Sequence, residues 1–307
     1  MLEKRTQLAV EIEAVEGTAE TLLAADAILV ANPKFTPDTK MNARNHVSTS
    51  LSPYAAVPGA RSAQIEFDVA LIGSGTAGTP PPFADLLKGA GFAETIVAGT
   101  SVTYLPASSA VPSLTAALYE DDTIISKIWG ARANVKIALV TGDICWLHFV
   151  LTGADFSVSA GSFLSGVSYP SVVPAAFLNA NFTLASYAAL IGKLDIDMGN
   201  KVELRPSANA SSGYISAKIV DRMAMLSLDP EKVAVATHDF YGLLRAGTEG
   251  ALTATLGATA GNICTITAPK VQYTSISEQA RGQLRTLGID CQLNRSSGDD
   301  ELSLAFT

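Results

Sequence analysis

Glycines at positions 73, 75 and 78 give the chain the spacing of a dinucleotide-binding loop, Gly73-Ser74-Gly75-Thr76-Ala77-Gly78. In that chemistry backbone N–H groups at a helix start face a pyrophosphate, and the third glycine lets the helix pack on the preceding strand. Here Thr79-Pro80-Pro81-Pro82 follows at once. Prolines have no N–H to offer and push their predecessors out of helical geometry, so the six residues read as a turn that holds no cofactor. Cys145 and His148 lie three apart on a strand-like segment. An odd separation sends them to opposite faces, which prevents a shared metal and makes both read as core residues. His238-Asp239 precedes a helical pattern in which Asp239 is a natural N-cap. A catalytic triad would also need a nucleophile, and no G-x-S-x-G elbow occurs. His46 stands alone in polar text. Asp299-Asp300-Glu301 lacks the D-x-D-x-D-G spacing of a calcium loop and reads as a solvated turn. Asn181-Phe182-Thr183 and two Asn-x-Ser triplets match a glycosylation pattern that carries weight only behind a secretory leader. No residue is therefore assigned to catalysis, to a cofactor or to a metal, and the chain reads as a non-enzyme.

The elements that would position any site are mostly strands. Gln64 to Leu71 alternates, with Ile65, Phe67, Val69 and Leu71 on one face and Gln64, Glu66 and Asp68 on the other. That is the period of a half-buried strand. A Gly/Pro-rich turn leads to a short helix, Phe83 to Gly89. A similar unit returns near Ile215 to Met225, followed by Asp239 to Gly247. Phe83, Leu86, Leu87 and Lys88 match Phe240, Leu243, Leu244 and Arg245, which points to an internal duplication. Lys193 to Met198 alternates as well, with Asp195 and Asp197 on its polar face. Residues 1–25 read as a polar, acidic arm with a hint of alternation at Leu8, Val10 and Ile12. Residues 32–60 and 199–213 read as long polar loops. Ile144 to Leu151 is apolar at almost every position and reads as covered on both faces. Trp129 and Trp146 read as core. Turn residues every ten or so positions complete the pattern of an all-β sandwich or barrel class.

A chain of 307 residues, 48% hydrophobic and 16% charged, can bury a sizeable core and accommodate two domains. The Ser-, Gly-, Ala- and Pro-rich stretch of 153–185 marks the boundary. It gives a first domain of 1–155 with the N-terminal arm, and a second of 156–307 that includes a linker near 156–185. With 21 Lys and Arg against 29 Asp and Glu the chain is acidic, which argues against a nucleic-acid-gripping surface, since that needs a basic stripe. No secretory signal and no apolar run long enough to span a bilayer are visible. The three cysteines, Cys145, Cys264 and Cys291, read as small buried residues, not a disulfide framework.

Several segments together resemble the major tail tube proteins of long-tailed, siphovirus-like bacteriophages. They are the Gly130-Ala131-Arg132-Ala133-Asn134-Val135 turn into a strand, Gly192 to Gly199 with the loop after it, Gly261-Asn262 leading into Ile266 to Tyr273, and Gly298-Asp299-Asp300-Glu301 before the last strand. The resemblance implies two tandem tail-tube-type β-sandwich domains, each with one short helix. It also implies that copies assemble into a ring with an inner β-barrel, and that rings stack into a virion tail tube through which genomic DNA is delivered. Assembly would take place in the cytoplasm of the bacterial host, with no membrane involved. The partners implied are the chain itself and other tail proteins, while DNA passes without specific binding. Tubes of this family are six-fold, so a chain with two units would close as three copies with pseudo-six-fold symmetry; six copies is the alternative. Glu66, Asp68, Asp195 and Asp197 are then lumen-facing candidates. The competing reading is an all-β binding module of a virion, for carbohydrate or a receptor. Such a module should carry clustered exposed aromatic residues beside acids or amides.

Overall fold

The computed structural model describes Leu2 and residues 4–307; Met1 and Glu3, which belong to the expected N-terminal arm, lie outside the described residues. The first half holds β1 (Thr6–Ile12), β2 (Ala27–Ile28), β3 (Ala31–Asn42) and β4 (Val57–Ala70), then the helix α1 (Ala84–Gly89). It continues with β5 (Phe92–Val97), β6 (Ser101–Pro106), β7 (Leu114–Glu120), β8 (Ile124–Val140), β9 (Trp146–Gly153) and β10 (Asp155–Ala160). The second half holds β11 (Thr183–Leu184), β12 (Lys193–Asp197), β13 (Asn200–Pro206), β14 (Tyr214–Arg222) and β15 (Met225–Leu228), then α2 (Phe240–Ala246). It ends with β16 (Glu249–Leu256), β17 (Cys264–Arg281), β18 (Leu284–Asn294) and β19 (Ser303–Phe306). The protein is mainly β.

Antiparallel pairing builds one long run in the order β3-β4-β9-β8-β12-β15-β18-β17. Two further groups, β2-β1-β7-β8-β10 and β5-β6-β19-β17-β16-β11, complete the layers. β8 and β17 each serve twice, the early part in an outer group and the later part in the run. The expected alternation explains which face of the run is covered. Ile65, Phe67 and Val69 on β4, Val135, Ile137 and Leu139 on β8, and Leu194 and Ile196 on β12 are all buried. Each such side chain contributes roughly 1.5–3 kcal/mol on burial. Phe67 stacks on Phe149 at 5.8 Å, and Phe306 meets both Phe83 and Tyr104 edge-on in the same core.

The pairing pattern recurs. In the first half β1 pairs with β7, β7 with β8, β8 with both β10 and β9, β9 with β4, and β4 with β3. In the second half β11 pairs with β16, β16 with β17, β17 with both β19 and β18, β18 with β15, and β15 with β12. α1 follows β4 as α2 follows β15. The β5–β6 hairpin has no counterpart, and the β13–β14 hairpin occupies the place of the long 43–56 segment between β3 and β4. The halves are joined by β8 to β12 and by β6 to β19, around one continuous apolar core.

The bend that carries β8 from one layer to the other sits at Gly130, φ +61°, where a Cβ would stand 3.0 Å from the Ala154 Cβ. Buried Glu13 holds this bend. Its carboxylate accepts from the Gly130 N–H at 2.6 Å, the Gly17 N–H at 2.7 Å and the Thr115 hydroxyl at 3.0 Å. Glu16 beside it receives Arg132 and the Ser216 hydroxyl, tying β14 to the same corner.

Several expectations are corrected. The acidic arm contains β1, a core strand with Leu8, Ala9 and Val10 buried, because β7 and β2 pair with both of its edges. Residues 32–60 are not a loop throughout: β3 and β4 form a long hairpin, and residues 43–56 alone stay irregular. Pro33 is tolerated because it lies in the register shift between Ala31 and Lys34, and Pro37 because, among the described residues, β3 has no strand on its other edge there. Residues 199–213 likewise begin with β13, whose polar residues alternate because only one side is covered. β9 is covered on one face only, with His148, Val150 and Thr152 half-exposed. Trp129 and Trp146 are half-buried on that pattern, not core residues.

Candidate functional site

The uncovered face of the long run gathers the charged groups. Its strands place Asp68, His148, Lys136, Asp197, Met225, Gln292 and Gln272 in one transverse row, each opposite the next. His148 Nδ1 lies 2.7 Å from the Asp68 carboxylate, and the Lys136 ammonium 3.0 Å from Asp197. The neighbouring row runs Ala70, Trp146, Ala138, Asp195, Ser227, Asp290 and Ser275. A depression of about 640 Å³ crosses these rows between β9 and β17.

All four expected acids project from this face. Glu66 and Asp68 sit on β4, separated by β9 and β8 from Asp195 and Asp197 on β12. Glu66 lies 3.8 Å from Lys34, and Asp68 also accepts from Asn32 at 2.8 Å. Asp195 has no ion-pair partner among the described residues, and Asp290 accepts from the Ser275 hydroxyl at 2.7 Å. The face is of mixed charge: Glu66, Asp68, Asp195, Asp197 and Asp290 stand against Lys34, Lys136 and Lys193. Asp290 and Lys136 were not singled out from the sequence, and His148 was read as a core residue. The signal existed, since each occupies the outward position of an alternating strand.

The other residues considered for chemistry serve structure. The Gly73–Gly78 turn lies against residues 261–262: Gly73 N donates to the Asn262 side chain at 2.7 Å and Gly75 N to Gly261 O at 3.0 Å. A Cβ on Gly73 would stand 2.0 Å from Gly261 O, so glycine is required for close approach of backbone to backbone. His148 is corrected from core residue to face residue, whereas Cys145, Cys264 and Cys291 are buried and free. Asp239 caps α2 by accepting from Gly242 N at 2.7 Å. His238 stacks on Tyr187 at 4.4 Å, and burial pulls its pKa down. The Asp299–Glu301 segment is more than a solvated turn. Asp299 and Glu301 converge on the Arg222 guanidinium at 3.0 and 2.5 Å, because alternate residues share a side and β14 passes there. Among the described residues no three His, Cys, Asp or Glu side chains are grouped to hold a metal, and no helix is long and apolar enough to cross a membrane.

Among the described residues five carboxyls lie below their ordinary range: Glu249 and Glu278, held by hydrogen bonds from Asn294 and from Lys232 respectively, and Asp197, Asp299 and Asp300. Burial opposes ionisation of Asp197, but the Asn134 amide, the Gly199 N–H and Lys136 together outweigh it. The Ser108 hydroxyl leads at Asp299, aided by Arg222. The Ser296 N–H, then the hydroxyl and N–H of Ser297, bring Asp300 to about 2. A carboxyl with a lower pKa folded than unfolded contributes stability that is full above its unfolded value and is lost as pH falls through its folded value. The urea midpoint should therefore hold steady above about pH 5 and decline from about pH 4 towards pH 2. The triple change D197N/D299N/D300N should flatten that decline; an unchanged slope would locate the acid sensitivity elsewhere.

No family model and no curated protein matches this chain.

Proposed function

We propose that the chain is a self-assembling structural protein, a tail-tube subunit of a long-tailed phage whose copies close into rings that stack around a passage for DNA. The observation that carries the reading is the long β3-to-β17 run, which has a polar, partly charged face and, among the described residues, an unpaired outer edge at each end, on β3 and on β17 beyond Tyr273. An exposed strand edge is a template for further pairing, which Lys, Pro or a bulge can blunt and which another strand or closure removes. The repeated pairing pattern supports two tube-type sandwich units per chain, divided near residue 155 and fused by the β8–β12 joint. Head-to-tail joining closes when the rotation per copy divides a full turn. Three chains would present six similar four-stranded groups. The polar face would line the passage, where carboxylates outnumber ammonium groups and phosphates slide without being gripped.

Microscopy of the purified protein tests this directly: rings or tubes are expected, with three copies per ring by native mass spectrometry. Six copies would refute the pseudo-six-fold count, and compact monomers would favour the binding-module reading.

Asp195 offers a clean probe of the face because it has no ion-pair partner to lose. Asp195→Lys should fold and assemble like the parent, since an exposed strand charge contributes roughly 0–1 kcal/mol. Assembled material should newly retain DNA in a co-sedimentation assay, and retention should fall steeply between about 50 and 200 mM salt. Retention equal to the parent's would put this face on the outside.

A further inference from the structure

The fused joint between the halves is a template for the joint between copies. On its β12 side, Asp195 lies opposite Ser227, which lies opposite Asp290; in the first half, Ala31 lies opposite Asp68, which lies opposite His148. β3 thus stands to β4 as β12 stands to β15. On the other side, Ala138 lies opposite Trp146, two residues before His148, and Ser277 lies opposite Gly288, two residues before Asp290. The late part of β17 thus matches the late part of β8. Inside the chain Ala138 faces Asp195, and Ile137, with Ile196 across from it, is fully covered. The corresponding edge of β17 beyond Tyr273 has no strand among the described residues, and Ile276 is only half-buried there.

We infer that β17 of one copy pairs antiparallel with β3 of a second copy, Ser277 opposite Ala31, in the register of the internal β8–β12 joint. The inference rests on the assembly reading above and names its contact. Charge fits the register: Lys34 takes the place of Asp197, and Asp290 lies one strand beyond its new neighbour Ser275.

A second, independent fit comes from the hairpin insertions. β13–β14 leaves β12 and crosses the neighbouring strand ends, with Asn200 bonded to Ala90 O and Ala133 O and Arg61 N to Ser212 O. The first-half counterpart is the 43–56 segment, whose Val47 and Leu51 are fully exposed (101% and 106%). The surface that the same placement would cover on the copy presenting β17 is an open groove of about 1030 Å³ between residues 219–224 and 292–295. The 43–56 segment of the second copy fills it.

A paired-cysteine experiment decides the register. Opposed strand residues have Cα atoms about 4.5–5.5 Å apart, within disulfide range. Within one chain residues 31 and 277 sit on opposite edges, about 34 Å apart along seven strand spacings, so a bond between them reports two copies. A31C/S277C under mild oxidation should give a ladder of linked chains. A31C mixed with S277C should stop at dimers, and neither alone should link. Assembled rings without linkage would overturn the register and leave the tube reading intact. Linkage into open fibres would support the joint and overturn closure, and monomers without linkage would overturn both. Leu51→Asp tests the groove without endangering the fold: the melting curve should match the parent's while assembly weakens roughly tenfold or more. Undiminished assembly would overturn the placement of the 43–56 segment.

Discussion

Glu13→Ala should destabilise the folded protein by about 3–5 kcal/mol, the largest loss expected from any single polar residue here. The carboxylate is buried and accepts from three donors, the N–H groups of Gly17 and Gly130 and the Thr115 hydroxyl. Removing it strands those donors away from water, at roughly 1–3 kcal/mol for each one that stays unsatisfied. The damage should spread, because the Gly130 bend positions the later half of β8 and hence β12. Glu13→Gln keeps one acceptor oxygen and should cost about half as much. Urea unfolding followed by circular dichroism checks the order Ala worse than Gln worse than parent. Equal stability of all three would mean that the bend is held by packing alone.

Arg222→Ala should cost about 2–4 kcal/mol. The guanidinium joins Glu301, which is 8% exposed, Asp299 and Ala107 O, linking β14 to two other segments. Without it Glu301 remains as an unpaired, mostly buried carboxylate, and that residual charge accounts for most of the loss. Adding Glu301→Gln to Arg222→Ala should therefore recover part of the stability, a non-additive result that a double-mutant cycle measures. Strictly additive losses would show that the two residues do not act together.

Much of this was legible in the sequence. The period-two text around Ile65–Leu71 and Leu194–Met198 placed β4 and β12 with their buried and polar faces. The Asp239 cap and the glycine at 247, in the left-handed region at φ +63°, bounded α2. The four acids fell on one face because alternation alone decides the side. What stayed illegible depends on partners distant in sequence. β3 carries two prolines and seven polar residues in twelve, a composition that reads as loop, yet it is a strand because β4 lies beside it. Asp299 and Glu301 read as solvated because nothing nearby announces Arg222, 77 positions earlier. The glycines at 73–78 matched a binding motif, whereas Gly73 and Gly75 serve backbone contact with residue 261 and Gly78 close approach to residues 97–100, which no short local window contains.

The β8–β12 joint has a further thermodynamic consequence. When two similar units share one chain, every second junction in a closed assembly forms at an effective concentration set by the connecting segment, not by how much protein is present. The loss of translational and rotational freedom is then met once per pair of units instead of once per unit, which lowers the concentration at which closure becomes favourable. Fusion also frees the two kinds of junction to differ. The internal one, sealed by Ile137, Ile196 and the Lys136–Asp197 pair, is permanent. The proposed external one, through Ser275, Ser277 and Lys34, would be free to stay weak enough for misplaced copies to detach and try again.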